Sequence, residues 1–135
     1  MNELLKGPFA VLMTPFDGGK VDKRAYLEQV SRLNQTDLSG YVTNGSTSEF
    51  VQLSLEEQME ISEWTARHKS ADKKLVVSAC TGNLVDTVKL CRHAGSIGAS
   101  AALVCPQYYF KYTTNYRTIF MNVNTKRHNY ICKSI

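Results

Sequence analysis

Residues 40–49 are the part of this chain best suited to binding or chemistry. A short apolar segment at 40–43 runs into a loop that holds Gly45, Ser46, Thr47 and Glu49. Glycine allows the backbone to approach a ligand closely, and serine and threonine place hydroxyl groups beside backbone N–H donors. This combination suits a carboxylate or a phosphate. An ordinary loop rich in small residues has the same composition, so the residues alone leave both interpretations open.

Tyr108 and Tyr109 follow the fourth apolar segment and are the next candidates. A tyrosine hydroxyl that reached Ser46 would form a proton relay, whereas the alternative is that the two rings pack against a neighbouring element or subunit. Lys111 comes two residues later, and a desolvated lysine forms Schiff bases with carbonyl substrates. A lysine in a polar loop is usually solvated, so we expect no catalytic role for Lys111.

The elements that position these residues alternate between strand and helix patterns. Four apolar segments have the length and composition of buried strands: 9–14, 40–43, 75–80 and 101–105. Three helices are expected to begin after capping residues: Asp22, Ser54 and Asn83. A weaker helical pattern covers 116–123. Continuous apolar strands separated by helices predict a parallel sheet that is covered on both faces.

Two architectures accommodate four such βα units: an open doubly wound sheet and part of a (β/α)8 barrel. A dinucleotide-binding fold is disfavoured, because no Gly-x-Gly-x-x-Gly sequence follows the first strand. In both architectures ligands bind at the carboxyl ends of the strands. Four loops with residues suited to binding, at 14–15, 45–49, 81–82 and 106–109, all lie at such ends, and this coincidence predicts a ligand site there.

Composition excludes several classes of protein. The 135 residues are 43% hydrophobic and 21% charged, as in one globular domain. The net charge of +4 owes much to Lys126, Arg127 and Lys133, and no basic face interleaved with aromatic residues indicates nucleic-acid binding. No apolar run approaches ~18 residues and no secretory signal is evident, so we expect no membrane partner.

The cysteines and histidines give no metal pattern. No Cys-x-x-Cys pair occurs among Cys80, Cys91, Cys105 and Cys132, which argues against a structural zinc site. We therefore expect no metal and no cofactor. The cysteines are predicted to be buried thiols that act as small hydrophobic side chains, which fits a reducing, cytoplasmic setting.

Four motifs taken together resemble a known family. Residues 12–17, 45–49, 81–82 and 106–109 are similar, in order and spacing, to motifs in the first half of the dihydrodipicolinate synthase and N-acetylneuraminate lyase family of pyruvate-dependent aldolases. The resemblance extends over about residues 6–112. The combination is specific, whereas any single motif would not be.

This resemblance implies a fold and a class of reaction. The fold is a (β/α)8 TIM barrel, and a complete barrel takes ~250 residues. We therefore expect residues 1–121 to form a truncated half-barrel of about four βα units. The family assembles as homotetramers and forms a Schiff base between a lysine and pyruvate or another 2-oxo acid. The implied activity is that of a 4-hydroxy-tetrahydrodipicolinate synthase-like lyase, and an N-acetylneuraminate lyase-like activity is the alternative.

The resemblance also assigns roles to individual residues. The family's Gly-Ser/Thr-Thr-Gly-Glu loop matches residues 45–49, so Gly45 and Thr47 would bind the pyruvate carboxylate and Ser46 would join a proton relay with two tyrosines. One of these tyrosines comes from a neighbouring subunit. Counting from the proline that precedes the pair selects Tyr108, which we prefer, and matching the end of the pair selects Tyr109.

Two departures from the family pattern stand out. Ser48 replaces the more common glycine of the loop. The resemblance also fades after residue 112, and the strands that would carry the second tyrosine and the Schiff-base lysine have no match. Residues 122–135 form an unmatched tail without a strand period, whose composition resembles a frameshifted AT-rich sequence, and Tyr130 is not expected to replace the missing tyrosine. We therefore expect the chain alone to be inactive. A further alternative is a non-catalytic fragment that keeps an anion-binding half-site.

Overall fold

Strands and α-helices alternate along residues 5–105 and 130–132, which a computed structural model describes. The strands are β1 (Phe9–Val11), β2 (Phe16–Asp17), β3 (Lys20–Val21), β4 (Gly40–Thr43), β5 (Lys74–Ser78), β6 (Ala101–Val104) and β7 (Tyr130–Cys132). The helices are α1 (Lys23–Leu33), α2 (Leu55–His68) and α3 (Leu84–Ser96). Two short 3-10 turns, Ser46–Ser48 and Phe50–Gln52, lie between β4 and α2.

The main sheet is parallel and follows the order β1-β4-β5-β6-β7. Apart from the separate β2–β3 hairpin, each strand lies beside the next one in the chain. A doubly wound sheet reverses its strand order at a switch point, whereas a (β/α)8 barrel adds strands in sequence order. The prediction of a partial (β/α)8 barrel is confirmed.

The helices begin where the sequence predicts. The side chains of Asp22 and Asn83 each accept the backbone N–H three residues further on, at 3.0 and 2.8 Å. Ser54 and Glu57 form a reciprocal capping box, with N···O distances of 2.8 and 3.1 Å. Each cap satisfies donors that a helix start would otherwise leave unpaired, so these local signals determine where the helices begin.

The core consists of two hydrophobic clusters. One cluster packs β5 and β6 against α3, and the other packs the region of β1 and β4 against α1 and α2. Tyr26 is fully buried in the second cluster, where its hydroxyl lies 2.8 Å from the Thr65 hydroxyl and its ring makes an edge contact with Trp64. Burial raises the pKa of Tyr26. This contact joins α1 to α2.

The structure differs from the sequence-based predictions in the first strand and in the tail. β1 ends at Val11 rather than at residue 14, and a hairpin follows it, turning at Gly18 and Gly19 with φ of 55° and 78°. The tail predicted to lack a strand contributes β7, which pairs in parallel with β6. Strand formation depends strongly on an available partner, which the tail's own sequence does not reveal. The predicted helix at 116–123 lies outside the described residues.

Among the described residues, no helix has both the length and the apolar character needed to cross a membrane.

Candidate functional site

The chain leaves β4 through a sharp turn at Asn44. This residue is fully buried and has a φ of 58°, in the left-handed region that asparagine tolerates better than most residues. Its Nδ2 donates hydrogen bonds to the Gln58 carbonyl and to the Ser62 hydroxyl, both at 3.1 Å. The side chain thus anchors the turn to α2 and directs the next residues across the carboxyl ends of the strands.

Gly45 is required for space rather than for an unusual φ. Its φ is −81°, but a Cβ atom here would lie 2.8 Å from Cγ1 of Val11. Only a residue without a side chain fits against this strand neighbour unless Val11 shifts. The close approach is the structural reason for the glycine that begins the predicted cradle.

Two buried hydroxyl groups fasten the loop to the segment that follows β1. Ser48 Oγ donates to the Leu12 carbonyl at 2.5 Å and accepts the Gly45 N–H at 3.1 Å. Thr14 Oγ1 donates to the Ser48 carbonyl at 2.9 Å. Ser48 is 1% exposed and Thr14 is 6% exposed, so water does not compete effectively for these bonds. The serine that departs from the family pattern therefore has a clear structural role.

The other two hydroxyl groups of the loop remain available. Ser46 and Thr47 are exposed, and their side chains make no hydrogen bond within the described part of the chain. They begin a 3-10 turn, whose first N–H groups have no acceptor within that turn. The loop thus separates buried hydroxyls that hold its shape from exposed hydroxyls that face solvent, an arrangement suited to binding a small anion.

The side chain of Glu49 does not hold the loop. Its side chain is exposed and makes no hydrogen bond to any described residue, although its backbone adopts a φ of 54°. Ser48 performs the holding role instead. Sequence reasoning did not predict the holding roles of Ser48 and Asn44, and the only local signal for either is the tendency of serine and asparagine side chains to bond nearby backbone groups.

A groove of ≈ 650 Å³ runs beside the loop. Thr47 and Thr14 line it together with residues of α1, among them Gln29 and Arg32. Gln29 fixes one wall by bonding both the N–H and the C=O of Met13 at 3.0 Å. Two carboxylates, of Glu28 and Glu49, also line the groove, against the single arginine. An anion is therefore better accommodated at the loop hydroxyls than along the α1 wall.

The third predicted loop lies next to the second. Thr81 and Gly82 line a cavity of ≈ 170 Å³ whose opposite wall includes Phe50 and Val51 of the second 3-10 turn. The Thr81 hydroxyl lies 2.7 Å from the Thr87 hydroxyl and donates to the Asn83 carbonyl at 2.7 Å. The loops after β1, β4 and β5 thus converge at one edge of the sheet, as the sequence predicts.

The cysteines differ from their predicted state. Cys80 and Cys105 are joined by a disulfide, with Cα atoms 5.3 Å apart, so the prediction of free thiols is wrong for this pair. Cys91 is a free, buried thiol as expected, and burial raises its pKa to about 11. The two cysteines meet because β5 and β6 pair in parallel, and no local pattern in the sequence reveals that register.

Tyr108, Tyr109 and Lys111 lie outside the described residues. The structure therefore brings Gly45, Ser46 and Thr47 together, and the roles assigned to the two tyrosines remain predictions.

Curated sequences related to this chain are named 4-hydroxy-tetrahydrodipicolinate synthase. One from Rhodopseudomonas palustris is 32% identical over 108 residues, which is 80% of this chain and 36% of the relative. One from Methanothrix thermoacetophila is 34% identical over 107 residues, which is 78% of this chain and 36% of the relative. The chain thus spans little more than a third of the length of the curated relatives it matches.

Solved structures show the same fold. A dihydrodipicolinate synthase from Aquifex aeolicus matches with a TM-score of 0.90 at 24% identity, over 97% of this chain and 45% of that one. An N-acetylneuraminate lyase from Mycoplasma synoviae matches with a TM-score of 0.90 at 23% identity, over 98% and 47%. An E. coli prophage protein of the dihydrodipicolinic acid synthase family, solved in complex with pyruvate, matches with a TM-score of 0.86 at 22% identity, over 95% and 44%.

The family model of the dihydrodipicolinate synthetases matches residues 4–123, which is most of the chain. That span contains β1 to β6 and the loop at 45–49 with its buried Ser48 hydroxyl and its exposed Ser46 and Thr47 hydroxyls. The chain belongs to the dihydrodipicolinate synthetase family.

Proposed function

We propose that this chain provides the carboxylate-binding part of a 2-oxo acid site in an aldolase-type lyase. The observation that carries the proposal is the division of the loop hydroxyls. Thr14 and Ser48 are buried and bonded, whereas Ser46 and Thr47 are exposed and unbonded among the described residues. A rigid loop with free donors binds an anion without first having to be ordered.

The substrate in this proposal is pyruvate or a related 2-oxo acid. The Thr47 hydroxyl, beside the Gly45 backbone, would donate to the carboxylate, and Ser46 would pass protons to Tyr108 of a neighbouring subunit in a homotetramer. The pyruvate complex of the E. coli family member supports this choice of ligand. The proposed compartment is the cytoplasm.

The proposed reaction type follows the names of the sequence relatives, which favour a 4-hydroxy-tetrahydrodipicolinate synthase-like lyase over an N-acetylneuraminate lyase-like one. The likeness to N-acetylneuraminate lyase structures concerns the fold, so it does not choose the second substrate. The motifs that carry the family resemblance, over residues 6–112, include no counterpart of the family's Schiff-base lysine. We therefore propose that the 135 residues by themselves bind the acid but form no covalent adduct.

Binding is tested by titrating pyruvate into the chain and following the backbone amide signals of residues 45–48 by NMR. Thr47→Val removes one hydrogen bond to a charged group, which is worth about 1.5–3 kcal/mol, so binding should weaken roughly 10- to 150-fold. Thr36→Val is the matched control, because Thr36 is exposed in the loop before β4, at the opposite end of the strands. The Thr36→Val variant should bind pyruvate with the same affinity as the unaltered chain.

Equal affinities for the Thr47 and Thr36 variants would refute the assigned role of Thr47, and no saturable shifts with pyruvate would refute the site as a whole. Chemistry is tested separately by borohydride reduction in the presence of pyruvate, followed by intact mass. The expected result is no pyruvyl adduct. A stable adduct, especially on Lys111, would overturn the proposal that the chain alone is inactive.

A further inference from the structure

Cys80 and Cys105 occupy matching positions on two neighbouring strands. The register pairs Ser78 of β5 with Leu103 of β6, and continuing it by two residues places the cysteines opposite each other. The Ala79 N–H bonds the Leu103 carbonyl at 2.8 Å, so the ladder extends past the end of β5. A Cα separation of 5.3 Å lies within the range that disulfides require. The backbone therefore brings the two sulfurs together whether or not they are bonded.

The surroundings of the pair make it accessible at one end. Cys105 is half-buried, whereas Cys80 is 7% exposed and receives a hydrogen bond from the Ser78 hydroxyl at 3.3 Å. Cys91, which is 2% exposed on α3, serves as an internal comparison, because burial keeps its thiol protonated. A small thiol or disulfide reagent should therefore reach Cys105 before either of the other two sulfurs.

We propose that Cys80 and Cys105 form a reversible redox latch at the carboxyl edge of the sheet. The oxidant is a low-molecular-weight disulfide such as oxidised glutathione. The Cys105 thiolate attacks one glutathione sulfur, a mixed disulfide forms, and one glutathione thiolate leaves. The Cys80 thiolate then attacks Sγ of Cys105 and releases the second glutathione. Two protein thiols lose two protons and two electrons, and one glutathione disulfide becomes two thiols.

The latch restrains the place where the chain leaves β6. Cys105 directly precedes Pro106 and lies three residues before Tyr108, and Cys80 directly precedes Thr81. When the disulfide is closed, the starts of the two loops that follow β5 and β6 are held together. When it is open, the hydrogen bonds of the ladder remain between the two strand ends. In the cytoplasm proposed above, which is a reducing compartment, a disulfide is usually transient or regulatory, and this fits a switch better than a permanent crosslink. This inference does not depend on pyruvate binding.

The test equilibrates the intact chain with glutathione mixtures from fully reduced to fully oxidised, alkylates the free thiols and digests with trypsin. Cleavage yields Cys80 in peptide 75–89, Cys91 in peptide 90–92 and Cys105 in peptide 93–111. The linked 75–89/93–111 pair should rise from almost none to almost all as the mixture is oxidised, and should disappear again on return. Cys91→Ala should leave this titration unchanged, whereas Cys80→Ser should abolish the linked peptide.

Hydrogen exchange supplies the second readout. Amides of residues 79–82 and of Cys105 should exchange more slowly in the oxidised chain than in the reduced chain, with α1 unchanged. Three results would overturn the proposal: thiols that stay free in oxidised glutathione, a crosslink that reduced glutathione does not open, or a bond to Cys91 or Cys132 instead. Equal exchange in the two states would refute the restraint. The glutathione titration uses the unaltered chain, so its result still tests the proposal if a variant fails to fold.

Discussion

Replacing Ser48 with alanine tests whether this hydroxyl holds the candidate site together. The change removes the donor to the Leu12 carbonyl and the acceptor of the Gly45 N–H. Leu12 is fully buried, so its carbonyl loses a partner that water does not replace. A buried polar group left unpaired costs about 1–3 kcal/mol. Gly45 is only half-buried, so leaving its N–H without the Ser48 acceptor costs less free energy.

The expected loss for Ser48→Ala is therefore about 2–3 kcal/mol in the free energy of unfolding, a large share of the ~5–15 kcal/mol of a typical domain. Urea denaturation measures this loss as a lower midpoint with an unchanged slope. Ser31→Ala is the control, because Ser31 is exposed on α1, and its effect should stay within about 0.5 kcal/mol. A loss below about 0.5 kcal/mol for Ser48→Ala would refute the reasoning. Pyruvate binding should weaken along with loop order.

Three further changes test other parts of the structure. Gly45→Ala places a Cβ 2.8 Å from Cγ1 of Val11 and should cost about 1–3 kcal/mol by denaturation, with Val11→Ala recovering part of the loss; additive effects of the two changes would contradict the contact. The hydrogen bond from Asn83 lowers the pKa of Asp86 below its ordinary 3.8, so the ionised carboxylate stabilises the fold above pH 3.8 and this stabilisation is lost as the pH falls through the folded-state pKa. The difference in stability between the unaltered chain and Asp86→Asn should therefore vanish in acid. A difference that stays constant across a pH titration would contradict this. Cys91, with a pKa of about 11, should react with maleimide at pH 8 only as the chain unfolds. Mass spectrometry measures the extent of labelling, and rapid labelling of the folded chain at Cys91 would contradict the prediction.

The helices and most strands could be predicted because their signals are local. Asp22, Ser54 and Asn83 each bond a backbone group three residues away, so a short stretch of sequence contains both partners. The strands at 40–43 and 101–104 are continuous apolar runs whose ends are marked by polar residues or proline. The loop at 45–49 was located for the same reason, since glycine and hydroxyl residues directly follow a strand.

The remaining features depend on partners that are distant in sequence. Ser48 bonds Leu12 across 36 positions, and nothing near Ser48 indicates that its hydroxyl is buried while that of Thr47 is exposed. β7 forms against β6, which ends 26 positions earlier, and the tail has no strand period of its own. Cys80 and Cys105 are 25 positions apart and meet only because β5 and β6 pair in that register.

The sequence by itself determined the alternation of strands and helices, the capped helix starts, the family and the location of the loop at 45–49, because each depends on neighbouring residues or on a motif order. Tertiary structure alone decided which hydroxyls hold the loop and which remain free, and which cysteines face each other. Those outcomes depend on strand register and burial, which bring together groups that no local pattern relates.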